Sequence, residues 1–247
     1  MQPAIVFRGA SYSIGGKEVL RGLDLDVLSG ETLVLLGRSG SGKTTTLKLV
    51  NALLVPTEGE VLVEGKATRA WDPIRLRRRI GYVIQESGLL PHLTVAKNVG
   101  LVPELEGWPR ERIAARVDEL LERVGLPTAE FRARFPRELS GGQRQRVGVA
   151  RALAADPPIL LFDEPFGALD PVSRLELQRQ FHALMKTLDK TCLFVTHDVR
   201  EALGLATRVA LLENGRVSVI APPREFLKAQ GEEARTFLAC LDWRLDP

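Results

Sequence analysis

The sequence predicts an α/β protein: a mostly parallel sheet flanked by helices, with an antiparallel β subdomain at the N-terminus and an inserted α-helical subdomain. Three observations carry this. From Gln143 onward apolar strand patterns alternate with helical ones; the continuous apolar run Thr32 to Leu36 feeds a glycine-rich turn and then a helix; and from about Ser87 to Glu138 the texture is helices and loops. Alternation of this kind builds a parallel sheet, because each crossover must return the chain along a face of the sheet.

At the N-terminus, Ala4 to Phe7 is apolar and Leu23-Asp24-Leu25-Asp26-Val27 alternates with period two, so both read as short strands, the second half-buried. Thr32 to Leu36 suits a strand covered on both faces. Lys43 to Leu54 is helix-prone, and Glu60 to Val63 and Ile80 to Ile84 are further strands. Arg110 to Val124 places Ile113, Val117, Leu120, Leu121 and Val124 at helical spacing. Beyond Gln143 follow a helix to Ala155, a strand Ile159 to Phe162, a long helix from about Val172 to Leu188, and a strand Leu193 to Thr196. A helix near Val199 to Leu205, a strand Arg208 to Leu212 and two short helices after Pro222 complete the chain. Internal repeats and low-complexity linkers are not seen.

A chain of 247 residues can bury a full core. Its 45% hydrophobic and 26% charged residues exclude disordered and fibrous classes. A net charge of +3 does not call for a nucleic-acid partner. The basic run Arg75-Leu76-Arg77-Arg78-Arg79 lacks interleaved aromatics and reads as a solvated helix end. Cys192, inside an apolar run, is expected to be a buried reduced thiol, and Cys240 is far from it in sequence. No stretch approaches the roughly 18 apolar residues that span a bilayer, and Met1 to Gly9 lacks a secretory pattern. The expectation is a cytosolic chain whose membrane connection comes through a partner.

Gly37-Arg38-Ser39-Gly40-Ser41-Gly42-Lys43-Thr44 fits G-x-x-x-x-G-K-[ST] between an expected strand and an expected helix. Glycines let backbone N–H groups turn inward around phosphate oxygens, and the helix that follows points the positive end of its dipole at the anion. Lys43 would reach the β- and γ-phosphates and the Thr44 hydroxyl would bind Mg²⁺, with Thr45 beside it in the nucleotide contact set. A P-loop NTPase core follows from this motif in this setting.

Ile159-Leu160-Leu161-Phe162-Asp163-Glu164 is an apolar strand ending in two carboxylates, and ligands collect at strand ends of parallel sheets. Asp163 is placed to hold Mg²⁺ through water, and Glu164 to polarise an attacking water as general base. Thr196-His197-Asp198 ends another apolar strand, which suits His197 for contact with the γ-phosphate or that water.

Leu139-Ser140-Gly141-Gly142-Gln143, followed by Arg144-Gln145-Arg146, is a second glycine-rich turn before a helix, hence a second anion site. Two such sites mean either two nucleotides or one nucleotide shared across a dimer. The segment resembles the signature of ABC-type ATPases, and the resemblance, which runs from Ile5 to about Phe226, implies the second: the signature of one subunit caps the ATP held by the other's P-loop. It further implies that Tyr12 stacks on adenine, that Gln85 touches Mg²⁺ and opens the helical subdomain, that Ala168-Leu169-Asp170 signals between sites, and that His197 is the switch histidine. An ABC ATPase domain over 1–230, a helical subdomain inserted at about 87–150, and a helical tail over 231–247 are the implied boundaries. A guanine-recognising Asn-Lys-x-Asp run does not occur in these residues.

Glu86-Ser87-Gly88-Leu89-Leu90-Pro91-His92-Leu93-Thr94-Val95 resembles the importer segment that receives the permease's coupling helix. Asn98-Val99-Gly100-Leu101-Val102-Pro103-Glu104-Leu105-Glu106-Gly107-Trp108 looks like the subgroup importing glycine betaine, carnitine and choline, and the phrases Arg146 to Leu153 and Glu164 to Asp170 fit that subgroup too. The implied partners are a second copy in an ATP-sandwich homodimer, two transmembrane permease subunits and, indirectly, an extracytoplasmic solute-binding protein; the implied location is the cytoplasmic face of the membrane. Many members carry a C-terminal regulatory module, for which these residues leave no room. The alternatives are an importer of another small solute, such as an amino acid or sulfonate, and a non-transport ABC ATPase. The latter usually fuses two units or inserts a long coiled coil, neither of which is seen.

Overall fold

The computed structural model describes residues 2–85, 88–167 and 171–242. They divide into two units, Met1–Arg77 with Thr191–Pro247, and Arg78–Lys190. The first begins with β1 (Pro3–Ile14), β2 (Lys17–Leu28), β3 (Thr32–Leu36), α1 (Lys43–Val50), β4 (Glu58–Val63), β5 (Lys66–Ala67) and α2 (Pro73–Arg78). The second contains β6 (Ile80–Val83), α3 (Val95–Leu105), α4 (Arg110–Arg123), α5 (Thr128–Phe131), α6 (Gly141–Leu153), β7 (Ile159–Asp163) and α7 (Pro171–Thr187). The first unit then resumes with β8 (Thr191–Thr196), α8 (Val199–Leu205), β9 (Arg208–Glu213), β10 (Arg216–Ala221), α9 (Pro223–Phe226) and α10 (Glu232–Asp242).

In the first unit an antiparallel sheet runs β2-β1-β4-β5, and a second set of strands runs β10-β9-β3-β8. The mostly parallel sheet expected from the sequence is present: β3 pairs in parallel with β8 on one side and β9 on the other. Its residues Leu33 to Leu36 are fully buried, which explains their unbroken apolar run. α1 and α8 pack against these strands. A staple joins three strand ends: Arg208 Nε and Nη2 donate to the two carboxylate oxygens of buried Glu31 at 3.1 and 3.0 Å, and Nη2 donates to the Asp26 carbonyl at 2.9 Å. Glu31→Ala is expected to lower unfolding free energy by about 2 kcal/mol. That is less than for a fully buried pair, since Arg208 keeps some water; urea denaturation midpoints measure it.

Several boundaries differ from the sequence-based expectation, each for a local reason. β1 and β2 are longer than the short strands expected, because register shifts between Phe7 and Tyr12 break the period-two pattern without ending the pairing. α1 stops at Val50 instead of Leu54. Asn51 Oδ1 accepts from Leu53 N at 3.1 Å, Ala52 takes a left-handed φ of 51°, and Arg77 donates to the carbonyls of Asn51 and Ala52 at 3.2 and 2.9 Å. Arg77, part of the basic run, thus caps a helix. β10 was not expected; it forms a hairpin with β9 through Asn214 and Gly215, both at positive φ.

In the second unit β6 and β7 pair in parallel, α6 covers β6, and α3 and α4 pack on α6. The α4 stripe buries Val117, Leu120 and Leu121 as its spacing predicts. Asn98, fully buried, organises the loop before α3: its Oδ1 accepts from Leu90 N at 2.8 Å, and its Nδ2 donates to the carbonyls of Leu90, Leu93 and Thr94 at 3.0–3.1 Å. Cys192 is buried and Cys240 exposed, and neither is in a disulfide. Among the described residues no helix is long and apolar enough to cross a membrane.

Candidate functional site

The glycine-rich loop leaves β3 at its buried C-terminal end and enters α1 at Lys43. Its backbone is one that only glycine accepts readily: Gly40 and Gly42 have φ of 81° and 107°. A Cβ on Gly37 would lie 2.5 Å from the Leu212 carbonyl and 2.7 Å from Ser41 Oγ, so β9 presses directly on the loop. Lys43, only 5% exposed, folds back to donate from Nζ to the carbonyls of Gly37 and Arg38 at 2.9 and 3.0 Å. The first turn of α1 has no side-chain cap and no acidic residue. Thr46 Oγ1 returns to the Gly42 carbonyl at 3.0 Å, which locks the start of the helix.

A polyphosphate fits this cradle. Ser41 Oγ is buried and makes no protein hydrogen bond, space lies open above Gly40, and the helix start offers N–H groups and a positive dipole end. Arg38, Ser39 and Gly40 are exposed at the loop tip, and Thr44 and Thr45 are half-buried in the first turn of α1.

Strand register gathers two other candidates at this cradle. Leu36 aligns with Thr196 of β8, so Gly37 and His197 leave neighbouring strands side by side, with His197 exposed. Asp198 then caps α8, accepting from Arg200 N at 2.7 Å. Tyr12 pairs across β1–β2 with Leu20, whose Cδ2 would meet a Cβ on Gly42 at 2.7 Å; Tyr12 is half-buried.

The acidic strand end lies in the second unit. β7 is buried throughout and ends on Asp163, 5% exposed. Tyr82 of β6 donates from its hydroxyl to Asp163 Oδ2 at 3.1 Å. Burial, then the charge of Asp163 and this hydrogen bond, pushes the Tyr82 phenol well above its ordinary pKa, so it remains a donor. Glu164 takes a left-handed φ of 44°, unusual for a residue with a side chain, and Gly167 N closes the turn on the Glu164 carbonyl at 3.1 Å. Val83 aligns with Phe162, so Gln85 and Glu164 each lie two residues beyond one aligned pair; Gln85 is exposed and Glu164 half-buried.

The second glycine-rich turn opens α6. Ser140 is its N-cap: Ser140 Oγ accepts from Gln143 N at 3.2 Å, and Gln143 Oε1 accepts from Ser140 N at 2.9 Å. Ser140 and Gly141 are exposed, and Gly142 and Gln143 are half-buried. Ser140→Ala is expected to cost about 1 kcal/mol through the lost cap, read as a lower thermal midpoint. Asp170 with Ala168 and Leu169, and Glu86 with Ser87, lie outside the described residues.

Two contacts were not foreseen. Tyr82 reaches Asp163, and its only sequence signal is a hydroxyl in an otherwise apolar strand. Arg38 Nε donates to Glu233 Oε1 of α10 at 2.7 Å, tying the loop tip to a helix nearly two hundred residues away, for which no local signal exists.

The ABC transporter family profile matches residues 20–167. The glycine betaine/carnitine/choline transport ATP-binding protein OpuCA of Bacillus subtilis is 48% identical over 219 residues, covering 89% of this chain and 57% of that protein. The glycine betaine uptake system ATP-binding protein YehX of Escherichia coli is 48% identical over 213 residues, covering 86% of this chain and 69% of the relative. Among solved structures, the ATP-binding cassette MJ0796, dimeric in a post-hydrolysis state bound to ADP and Pi, superposes with a TM-score of 0.79 at 34% identity, covering 89% of this chain and 99% of that one. The profile match over more than half of the chain, together with these likenesses, shows that the chain belongs to the ABC transporter family.

Proposed function

We propose that this chain is the ATP-hydrolysing subunit of an ABC importer, working as a head-to-tail pair in which each ATP is gripped by two copies. The observation that carries the ATP reading is the loop Gly37–Gly42 wrapped around buried Lys43, with the Ser41 hydroxyl and the first turn of α1 turned to the same task. Lys43 neutralises the β- and γ-phosphates, the loop N–H groups hold their oxygens, and Tyr12 stacks on the base. Thr44, Gln85 and Asp163 are the residues that would hold Mg²⁺, which supplies charge neutralisation on the phosphates. Glu164 takes a proton from the attacking water, and His197 steadies the γ-phosphate. Positioning and charge stabilisation do the catalytic work, with little covalent chemistry from the protein.

Ser140, Gly141, Gly142 and Gln143 of each copy cap the nucleotide held by the other, and Asp170 carries the signal between sites. Binding closes the pair, and hydrolysis replaces the γ-phosphate bridge with separate anions that part it. Two permease subunits receive this motion at the cytoplasmic face of the membrane, and a solute-binding protein delivers cargo on the other side.

The cargo we assign is a quaternary-amine osmoprotectant. What supports it is the likeness to transport proteins for glycine betaine, carnitine and choline, together with the Asn98–Trp108 segment. Co-expression with the co-purifying permease and binding protein should give ATP-dependent uptake of radiolabelled betaine; uptake of another solute class alone would overturn the cargo. Ser140→Arg should leave nucleotide binding intact yet stop hydrolysis, and a surviving rate would overturn the shared site.

A further inference from the structure

We infer that Tyr82 is a positioning residue: by donating to Asp163 Oδ2 at 3.1 Å it fixes the orientation in which that carboxylate meets the metal. The inference rests on the reading of Asp163 as a magnesium-associated residue. Tyr82 aligns with Leu161 in the parallel β6–β7 pair, and Asp163 lies two residues beyond Leu161. Side chains two apart along a strand share a face, so Tyr82, Leu161 and Asp163 project from the same side, and the phenol spans the offset between them.

Both ends of the bond are anchored. β7 is buried along its length, and in β6 Ile80, Gly81 and Val83 are buried. A Cβ at Gly81 would come within 2.4 Å of the Ala152 carbonyl, so the β6 backbone lies directly on α6 and cannot slide to relax the contact. An aspartate has two rotatable side-chain bonds. A charge-assisted hydrogen bond from a fixed donor removes most of that freedom before the metal arrives. The same strand leads directly to Gln85, so one hydrogen bond holds Asp163 to the strand that delivers a second proposed metal residue.

Tyr82→Phe removes the hydroxyl and keeps the ring. The test is equilibrium ATP binding at graded free Mg²⁺, with wild type, Tyr82→Phe and Asp163→Asn in parallel, and thermal midpoints recorded for each. The expected result for Tyr82→Phe is a rise of about three- to tenfold in the Mg²⁺ concentration at half-effect, unchanged metal-free ATP affinity and a modestly lowered thermal midpoint, since a buried carboxylate loses one donor. Asp163→Asn should shift the Mg²⁺ midpoint further. A normal midpoint in Tyr82→Phe beside a shifted one in Asp163→Asn overturns the inference and leaves the metal reading standing. Normal midpoints in both variants overturn the metal reading, and the inference with it. An equal loss of metal-free ATP affinity in Tyr82→Phe makes the residue merely structural, which also overturns it.

Discussion

Glu164→Gln lowers ATP turnover by about 10²- to 10⁴-fold, the range expected when a general base is removed, while nucleotide affinity stays within a few-fold of wild type. Glutamine matches glutamate in size and can still orient a water, but it cannot take the proton. The residue sits at a left-handed φ of 44° just past buried Asp163, in a turn closed by the Gly167 N–H, and an isosteric change leaves that turn undisturbed. With binding intact and hydrolysis blocked, the closed pair accumulates. Sedimentation or size exclusion should then show a dimer with ATP and Mg²⁺ that is absent with ADP. Wild-type turnover in this variant contradicts the assignment of Glu164 as the base.

Lys43→Ala weakens ATP binding by at least about 100-fold, since two charge-assisted hydrogen bonds to phosphate, worth about 1.5–3 kcal/mol each, are lost together. The ammonium sits at a position only 5% exposed, where water cannot replace it easily. Its bonds to the Gly37 and Arg38 carbonyls also go, so a small fall in thermal midpoint accompanies the loss. The Thr46–Gly42 bond at the start of α1 remains to hold the helix. Equilibrium binding with a fluorescent ATP analogue measures the effect. Unchanged affinity contradicts the cradle.

Much of the candidate site could be read directly because its parts are contiguous. The loop Gly37–Lys43 needs left-handed glycines, a buried cation and a helix start in one short stretch, and each requirement leaves its own letter in the sequence. Asp163 and Glu164 were recognisable because an apolar strand ends abruptly in charge. Parallel register then did what the sequence could not state, bringing Gly37 and His197 to one edge through the pairing of Leu36 with Thr196. Tyr82 and Glu233 leave no such local mark for the opposite reason: each acts across space on a residue far away in the chain. Boundaries differ where long-range caps intervene, as when Arg77 donates to the Asn51 and Ala52 carbonyls just past the end of α1. β10 is different, since Asn214-Gly215 followed by an alternating run is itself a local hairpin signal.

A crystal structure of the Glu164→Gln variant with ATP and Mg²⁺ is the decisive measurement. The expected density has each triphosphate lying against Lys43 of one copy and the partner subunit's Ser140, with two nucleotides per pair. A triphosphate enclosed wholly by residues of one copy, its own Ser140 included, would contradict the sharing of each nucleotide between two chains.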